Sequence, residues 1–168
     1  MFEIVKYPDP ILFERMPDFN FNDPIIDAKI LIEKMTETML ANSGMGLAAN
    51  QVGIRTRVFI MGDDKNITAF FNPIIVNAGV AIEDYESCLS FPNIWAKIKR
   101  PSVINVKWQD INGEWMETEL SGMNCKCFLH EYDHLEGITF KDRISSLKWN
   151  MSLKKSEKIK RNQNYVRT

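Results

Sequence analysis

The sequence predicts an α+β protein: antiparallel β-sheets surrounding a central helix that carries an H-E-x-x-H metal motif, with one helix N-terminal and one C-terminal to the strands. Three observations lead there. A run of apolar residues at helical spacing follows Asn22-Asp23-Pro24, the middle of the chain is rich in β-branched and aromatic residues around an Asn-Gly turn, and His130 to His134 lie in a segment that Gly137 closes.

In chain order, the first helix is expected to start at Asp23-Pro24, because Asp is a good N-cap and Pro suits the first helical position. Ala28, Leu31, Ile32, Met35 and Met39 give it one apolar face, and Asn42-Ser43-Gly44 should stop it. Arg57 to Met61, Thr68 to Val76 and Ile94 to Lys99 read as strands, with Pro73 predicting an edge or a bulge. Val103 to Gln109 and Trp115 to Leu120 flank Asp110-Ile111-Asn112-Gly113, so they are predicted to form a hairpin. A second helix is expected from about Met123 to Glu136, and a third, basic one between Ser146 and Arg161.

Chemistry concentrates in His130-Glu131-Tyr132-Asp133-His134. Residues four apart on a helix stand one turn above each other, about 6 Å along the axis, so two imidazoles can grip one ion from the same face while Glu131 projects beside it. These are the only two histidines in the chain. A catalytic ion usually takes three protein ligands and keeps one position for water. Cys127 sits about 4.5 Å lower along the helix axis, which favours small, buried core filler, and Cys125 points to the opposite side. Cys88, in Glu86-Ser87-Cys88-Leu89-Ser90, is the favoured third ligand on this geometry, with Cys127 the alternative. Asp133 cannot easily reach the same ion and is expected to be an ion-pair or outer partner of the imidazoles.

Three segments together resemble the peptide deformylase family. Gly44-Met45-Gly46-Leu47-Ala48-Ala49-Asn50-Gln51 resembles its G-x-G-L-A-A-x-Q motif, Glu86 to Ser90 resembles E-G-C-L-S, and Leu129 to Leu135 resembles Q-H-E-x-D-H-L. The similarity runs from Pro8-Asp9-Pro10 to Asp142-Arg143-Ile144-Ser145. Two positions depart from the pattern: Ser87 stands where the family usually has glycine, and Leu129 replaces glutamine. The first is expected to restrict the backbone and narrow the cleft floor, the second to remove a polar group beside the site.

The resemblance implies hydrolysis of the N-formyl group from the initiator methionine of nascent polypeptides, with release of formate. It makes Cys88, His130 and His134 the metal ligands and Glu131 the proton-handling residue. Gln51, through its side-chain amide, and Leu89, through its backbone N–H, become the donors to the substrate oxygen. Met45 borders the methionine pocket and Gly46 contacts the substrate backbone. The cofactor is one divalent ion: the resemblance favours Fe2+, whereas cysteine with two histidines also suits Zn2+.

Composition sets the remaining expectations. Hydrophobic residues make up 45% and charged residues 26% of the 168, ordinary values for a globular chain rather than a disordered or membrane one. The N-terminal MFEIVKYPDPILFERMPDF lacks the basic start and unbroken apolar stretch of a signal peptide, and three cysteines do not form a disulfide framework. The expected protein is therefore a cytoplasmic monomer without membrane contact. Residues 1–147 are expected to form a single catalytic domain and residues 148–168 a basic, partly helical tail. Lys148, Lys154, Lys155, Lys158, Lys160, Arg161 and Arg167 oppose only Glu157 there, a local balance of +6 in a chain of net −1, which suggests contact with ribosomal RNA.

Two other functions fit parts of this pattern. A zinc metallopeptidase would use H-E-x-x-H to cut internal peptide bonds, although such enzymes mostly complete the site with His or a carboxylate. A non-catalytic nascent-chain or ribosome-binding module would use the tail and merely hold a peptide end.

Overall fold

A computed structural model describes residues 1–165, with the side chains of Lys160 and of residues 162–165 excepted; Arg167 of the basic tail lies outside the described residues. Strands β1 (Gly46–Ala48), β2 (Val58–Gly62), β3 (Ile67–Ala78), β6 (Val103–Gln109) and β7 (Trp115–Ser121) form an antiparallel sheet in the order β1-β2-β3-β6-β7. Strands β4 (Ala81–Cys88) and β5 (Phe91–Pro101) form a separate antiparallel hairpin. Among the described residues four α-helices accompany them: α1 (Ala28–Ala41), α2 (Gly122–Leu135), α3 (Phe140–Arg143) and α4 (Ser146–Tyr165).

The continuous apolar run Val58-Phe59-Ile60-Met61 explains how the layers stack. Side chains alternate across a strand. Val58 and Ile60 join Leu31, Met35 and Met39 of α1 in one core cluster, while Phe59 and Met61 join Phe128 and Leu129 of α2 in another. The β2 strand is thus buried on both faces, which is why it lacks polar alternation. On the α2 side, Phe59 stacks on Phe70 at 4.8 Å between ring centroids, and Phe128 meets both edge-on at 5.1 and 5.3 Å. The metal-motif helix therefore lies between the sheet and the β4–β5 hairpin, touching β1, β2, β6 and β7 on one side and β5 on the other.

Several predicted boundaries move. The first helix starts at Ala28, not after Asp23, because the Asp27 side chain caps it by accepting from the N–H groups of Lys29 and Ile30 at 2.9 and 3.1 Å. Starting there lets Ile26 pack against the α1 core cluster before the helix begins. The β4 strand has no counterpart in the sequence expectations, since five of its eight residues are exposed in succession and no period-2 pattern survives. The Pro73 prediction is realised as a bulge: pairing jumps from Phe71↔Gln109 to Ile74↔Lys107. The β6–β7 hairpin closes through residues 110–114, where Asp110 Oδ1 accepts from the N–H groups of Asn112 and Glu114.

The basic α4 is anchored at its start. Trp149 is only 4% exposed and meets Tyr7 and Phe91 edge-on at 5.4 and 6.0 Å, and Ser156 Oγ donates to the Pro92 carbonyl at 3.0 Å. Lys154, Lys155 and Lys158 remain exposed. No helix among the described residues is long and apolar enough to cross a membrane.

Candidate metal centre

Two elements converge. The α2 helix presents His130, Glu131 and His134, and ends at Leu135 before Gly137, whose φ of +69° reverses the chain as a glycine readily does. The β4–β5 hairpin turns through Leu89 and Ser90, with Cys88 paired to Phe91 and a register shift between Ser87 and Cys88. Alternation along β4 leaves Ser87 exposed and turns Glu86 and Cys88 inward. The donor atoms of Cys88, His130 and His134 all lie within 4.8 Å of one another, and Cys88 Sγ is 3.2 Å from His134 Nε2.

This cluster fits one ion. Metal–sulfur and metal–nitrogen bonds of about 2.3 and 2.1 Å place the donors of a tetrahedral ion between about 3 and 4 Å apart. One soft thiolate with two imidazoles is a transition-metal donor set, not one for Mg2+ or Ca2+. Cys127 lies outside the group. Its expectation as buried core filler is corrected: it is half-buried on the cleft wall, where its thiol donates to the Met45 carbonyl at 3.4 Å. Cys125 is fully buried and donates to the Pro101 carbonyl at 3.2 Å.

The imidazoles are held from behind. His130 Nδ1 is 2.9 Å from Glu86 Oε2, which leaves Nε2 for an ion. Glu86 also accepts from Arg100 Nη2 at 2.9 Å; Arg100 Nη1 donates to Asp133 Oδ2 at 2.8 Å, and Asp133 is held in turn by Arg143. Burial pushes the Glu86 carboxyl up, but its bonds to His130 and Arg100 outweigh this and hold it down at about 2. His134 is fixed through its backbone, whose carbonyl accepts from Asn50 Nδ2 at 2.7 Å. Asp133 takes the outer, ion-paired place expected of it. Glu86 and Arg100 were missed, although Glu86 stands two residues before Cys88 in a strand and so shares its face.

Glu131 is 4% exposed, and its Oε2 has no hydrogen-bond partner among the described residues. Burial pushes it up to about 7, offset only in part by the His130 and Arg100 charges. Gln51, also buried, accepts from the Ala48 N–H at 2.8 Å through Oε1. Its Nε2 therefore points at the ligand turn, 3.4 Å from Cys88 Sγ and 3.2 Å from Ser90 Oγ.

These groups open onto one cleft of about 490 Å³, bounded by Met45, Gly46 and Glu131 on one side and by Ser87, Leu89 and Trp95 on the other. Met45 is 54% exposed at its mouth. A Cβ on Gly46 would stand 2.5 Å from Glu131 Oε1 and 2.8 Å from Cys127 Sγ. At the two departures from the family pattern, Ser87 lines the cleft as expected but without the expected backbone restriction, and Leu129 does not line the cleft. Outside glycine, positive φ among the described residues is confined to Ser43, Asn72 and Asn93, so Ser87 needs no glycine-like backbone and presents its side chain to the cleft. Leu129 is buried in the core cluster beside Phe128, away from the cleft.

A thiolate from a hairpin turn completing an H-E-x-x-H helix defines a metal-dependent hydrolase on an α+β scaffold. Comparison with known proteins agrees. The family model described as polypeptide deformylase matches residues 1–150, and the chain belongs to that family. It is 38% identical to a peptide deformylase of Novosphingobium aromaticivorans, over 95% of this chain and 97% of that one. Against a Thermotoga relative the identity is 43%, over 88% and 90%. A crystal structure of a peptide deformylase from Legionella pneumophila superposes with a TM-score of 0.90 at 32% identity, covering 98% of both chains.

Proposed function

We propose that this chain removes the N-formyl group from the initiator methionine of nascent polypeptides, releasing formate. The observation that carries the proposal is the convergence of Cys88, His130 and His134 within 4.8 Å, where Cys88 and His130 line the same cleft as Glu131 and Gln51. Family membership favours the formyl amide over the internal peptide bonds of the metallopeptidase alternative.

Cys88, His130 and His134 would hold one divalent ion, Fe2+ by family resemblance or Zn2+ by donor chemistry. Such an ion, when bound, lowers the pKa of its water to near neutrality and polarises the substrate carbonyl. The rest falls to the chain. Glu131, hidden from bulk solvent, accepts the water's proton on its carboxylate and returns it to the leaving nitrogen. Gln51 Nε2 and the Leu89 backbone N–H donate to the formyl oxygen as it gains charge; removing one such donor commonly costs about two to three powers of ten in rate. Met45 at the cleft mouth contacts the flexible methionine side chain, and Gly46 lets the peptide backbone come close.

The test is formate release from formyl-Met-Ala-Ser by protein purified without oxygen. Wild type should release formate and Glu131→Gln should lose at least about a hundredfold in rate. Cleavage of an internal bond without formate would contradict the proposal. We place the enzyme in the cytoplasm as a monomer, with residues 1–147 carrying the chemistry and residues 148–168 contacting the ribosome. Replacing Lys154, Lys155 and Lys158 by Glu should weaken salt-sensitive ribosome pelleting, and unchanged pelleting removes that contact.

A further inference from the structure

The tripeptide Val5-Lys6-Tyr7 is tied at three points to the two elements that face the substrate carbonyl. The Val5 N–H donates to the Gln51 carbonyl at 2.8 Å, Lys6 Nζ donates to the Leu89 carbonyl at 2.7 Å, and the Tyr7 N–H donates to the Ser90 carbonyl at 3.0 Å. The tripeptide is itself anchored, since the Tyr7 ring packs on Phe91 at 5.3 Å and edge-on to Trp149 at 5.4 Å. Two of the three ties are main-chain bonds. Lys6 supplies the only side-chain tie of the three.

Its target is the turn that carries the Cys88 sulfur. The turn between β4 and β5 consists of Leu89 and Ser90 alone, and a peptide unit within so short a turn can swing without disturbing the strands on either side. Such a swing would redirect the Cys88 sulfur before it and the Leu89 N–H with it. Gln51 Nε2 holds the inner side of this turn through Ser90 Oγ, and Lys6 holds the outer side. A charge-assisted bond of this kind is roughly twice as strong as a neutral one.

We infer that Lys6 is a positioning residue, clamping the Leu89–Ser90 turn so that the Cys88 sulfur and the Leu89 N–H keep the directions in which they meet the ion and the substrate oxygen. This rests on the function proposed above. Lys6 is not among the described residues that line the cleft, so its loss should be felt in metal binding and kcat, not in KM.

The test uses the full chain, purified without oxygen, freed of metal and titrated with Co2+, whose thiolate charge-transfer absorption reports the Cys88 bond. Lys6→Met should bind Co2+ about tenfold to a hundredfold more weakly, as losses of outer partners of metal ligands commonly do. Its thiolate band should shift, and its kcat should fall by about tenfold at unchanged KM. Lys6→Arg, which keeps a cationic donor, should recover most of both. Lys6 is exposed, so Lys6→Met should fold with a wild-type melting temperature; Lys6→Gln serves as a second variant should it not. Wild-type Co2+ affinity and band in Lys6→Met overturn the inference, as does a loss that Lys6→Arg shares equally or one that falls on KM. If wild type binds Co2+ through its thiolate yet releases no formate, the functional proposal fails, while the Co2+ titrations still decide the role of Lys6.

Discussion

Gly46 and Glu131 occupy each other's space: a Cβ placed on Gly46 would stand 2.5 Å from Glu131 Oε1 and 2.8 Å from its Cγ. Real Cβ atoms do not approach so closely, so any side chain at position 46 displaces the Glu131 carboxylate, the group proposed to handle the protons. Gly46→Ala should therefore behave as a partial Glu131 deletion. We expect kcat for formyl-Met-Ala-Ser to fall by at least about a hundredfold, the usual worth of a positioned acid–base group. The melting temperature should change little, because β1 is short and borders the open cleft. Formate release and thermal melting of the variant check this.

Glu86 ties the hairpin to the helix. It carries His130 Nδ1 on one oxygen and Arg100 on both. In Glu86→Ala the Arg100 guanidinium keeps Asp133 but loses its second carboxylate while still buried. Breaking one side of a buried pair typically costs about 3–5 kcal/mol. Metal affinity should also fall, by about tenfold to a hundredfold. Urea unfolding and competition with a metal chelator measure the two losses separately.

The same carboxylate sets an acid limit. Glu86 titrates at about 2 in the fold against an ordinary value of 4.5. A depressed carboxyl contributes stability that is fully present above its unfolded pKa and is lost as pH falls through the folded one. Wild type should therefore lose stability from this group between about pH 4.5 and pH 2, by about 3 kcal/mol in all. Glu86→Gln, which cannot titrate, should lack that part of the slope. Unfolding free energies of the two proteins at intervals across this window make the comparison.

Trp149 fastens the basic helix to the core against Tyr7 and Phe91. Trp149→Ala should cost about 3–5 kcal/mol, as removal of a buried aromatic side chain does. Since Tyr7 belongs to the segment that braces the Leu89–Ser90 turn, kcat should fall with it. Chemical denaturation and formate release from the same preparation test both.

The site was legible in the sequence because its chemistry is written locally. Two histidines four residues apart and a motif around Cys88 name the candidate ligands, and apolar spacing with Gly137 just past its end marks the helix that carries His130. What holds the ligands was not legible. Glu86 reaches His130 across 44 residues, and Arg100 bonds Glu86 across 14 and Asp133 across 33, distances that only the fold closes. Lys6 is further still from its partner Leu89 in sequence and sits in no recognisable pattern. The β4 strand was missed for a related reason: its solvated run Ile82-Glu83-Asp84-Tyr85 lacks alternation, and only pairing with β5 makes it a strand. Asp27 displaced Asp23 as the helix cap because Ile26 had first to reach the core, a tertiary demand that local propensity does not contain.

The proposed hydrolysis depends on one thiolate and two imidazoles binding a single ion. X-ray absorption at the metal edge of protein purified without oxygen tests it most directly. One sulfur scatterer at about 2.3 Å and two imidazole nitrogens at about 2.1 Å, with one ion per chain, are the predicted shell. An ion surrounded by nitrogen and oxygen alone, with no sulfur, would contradict the account.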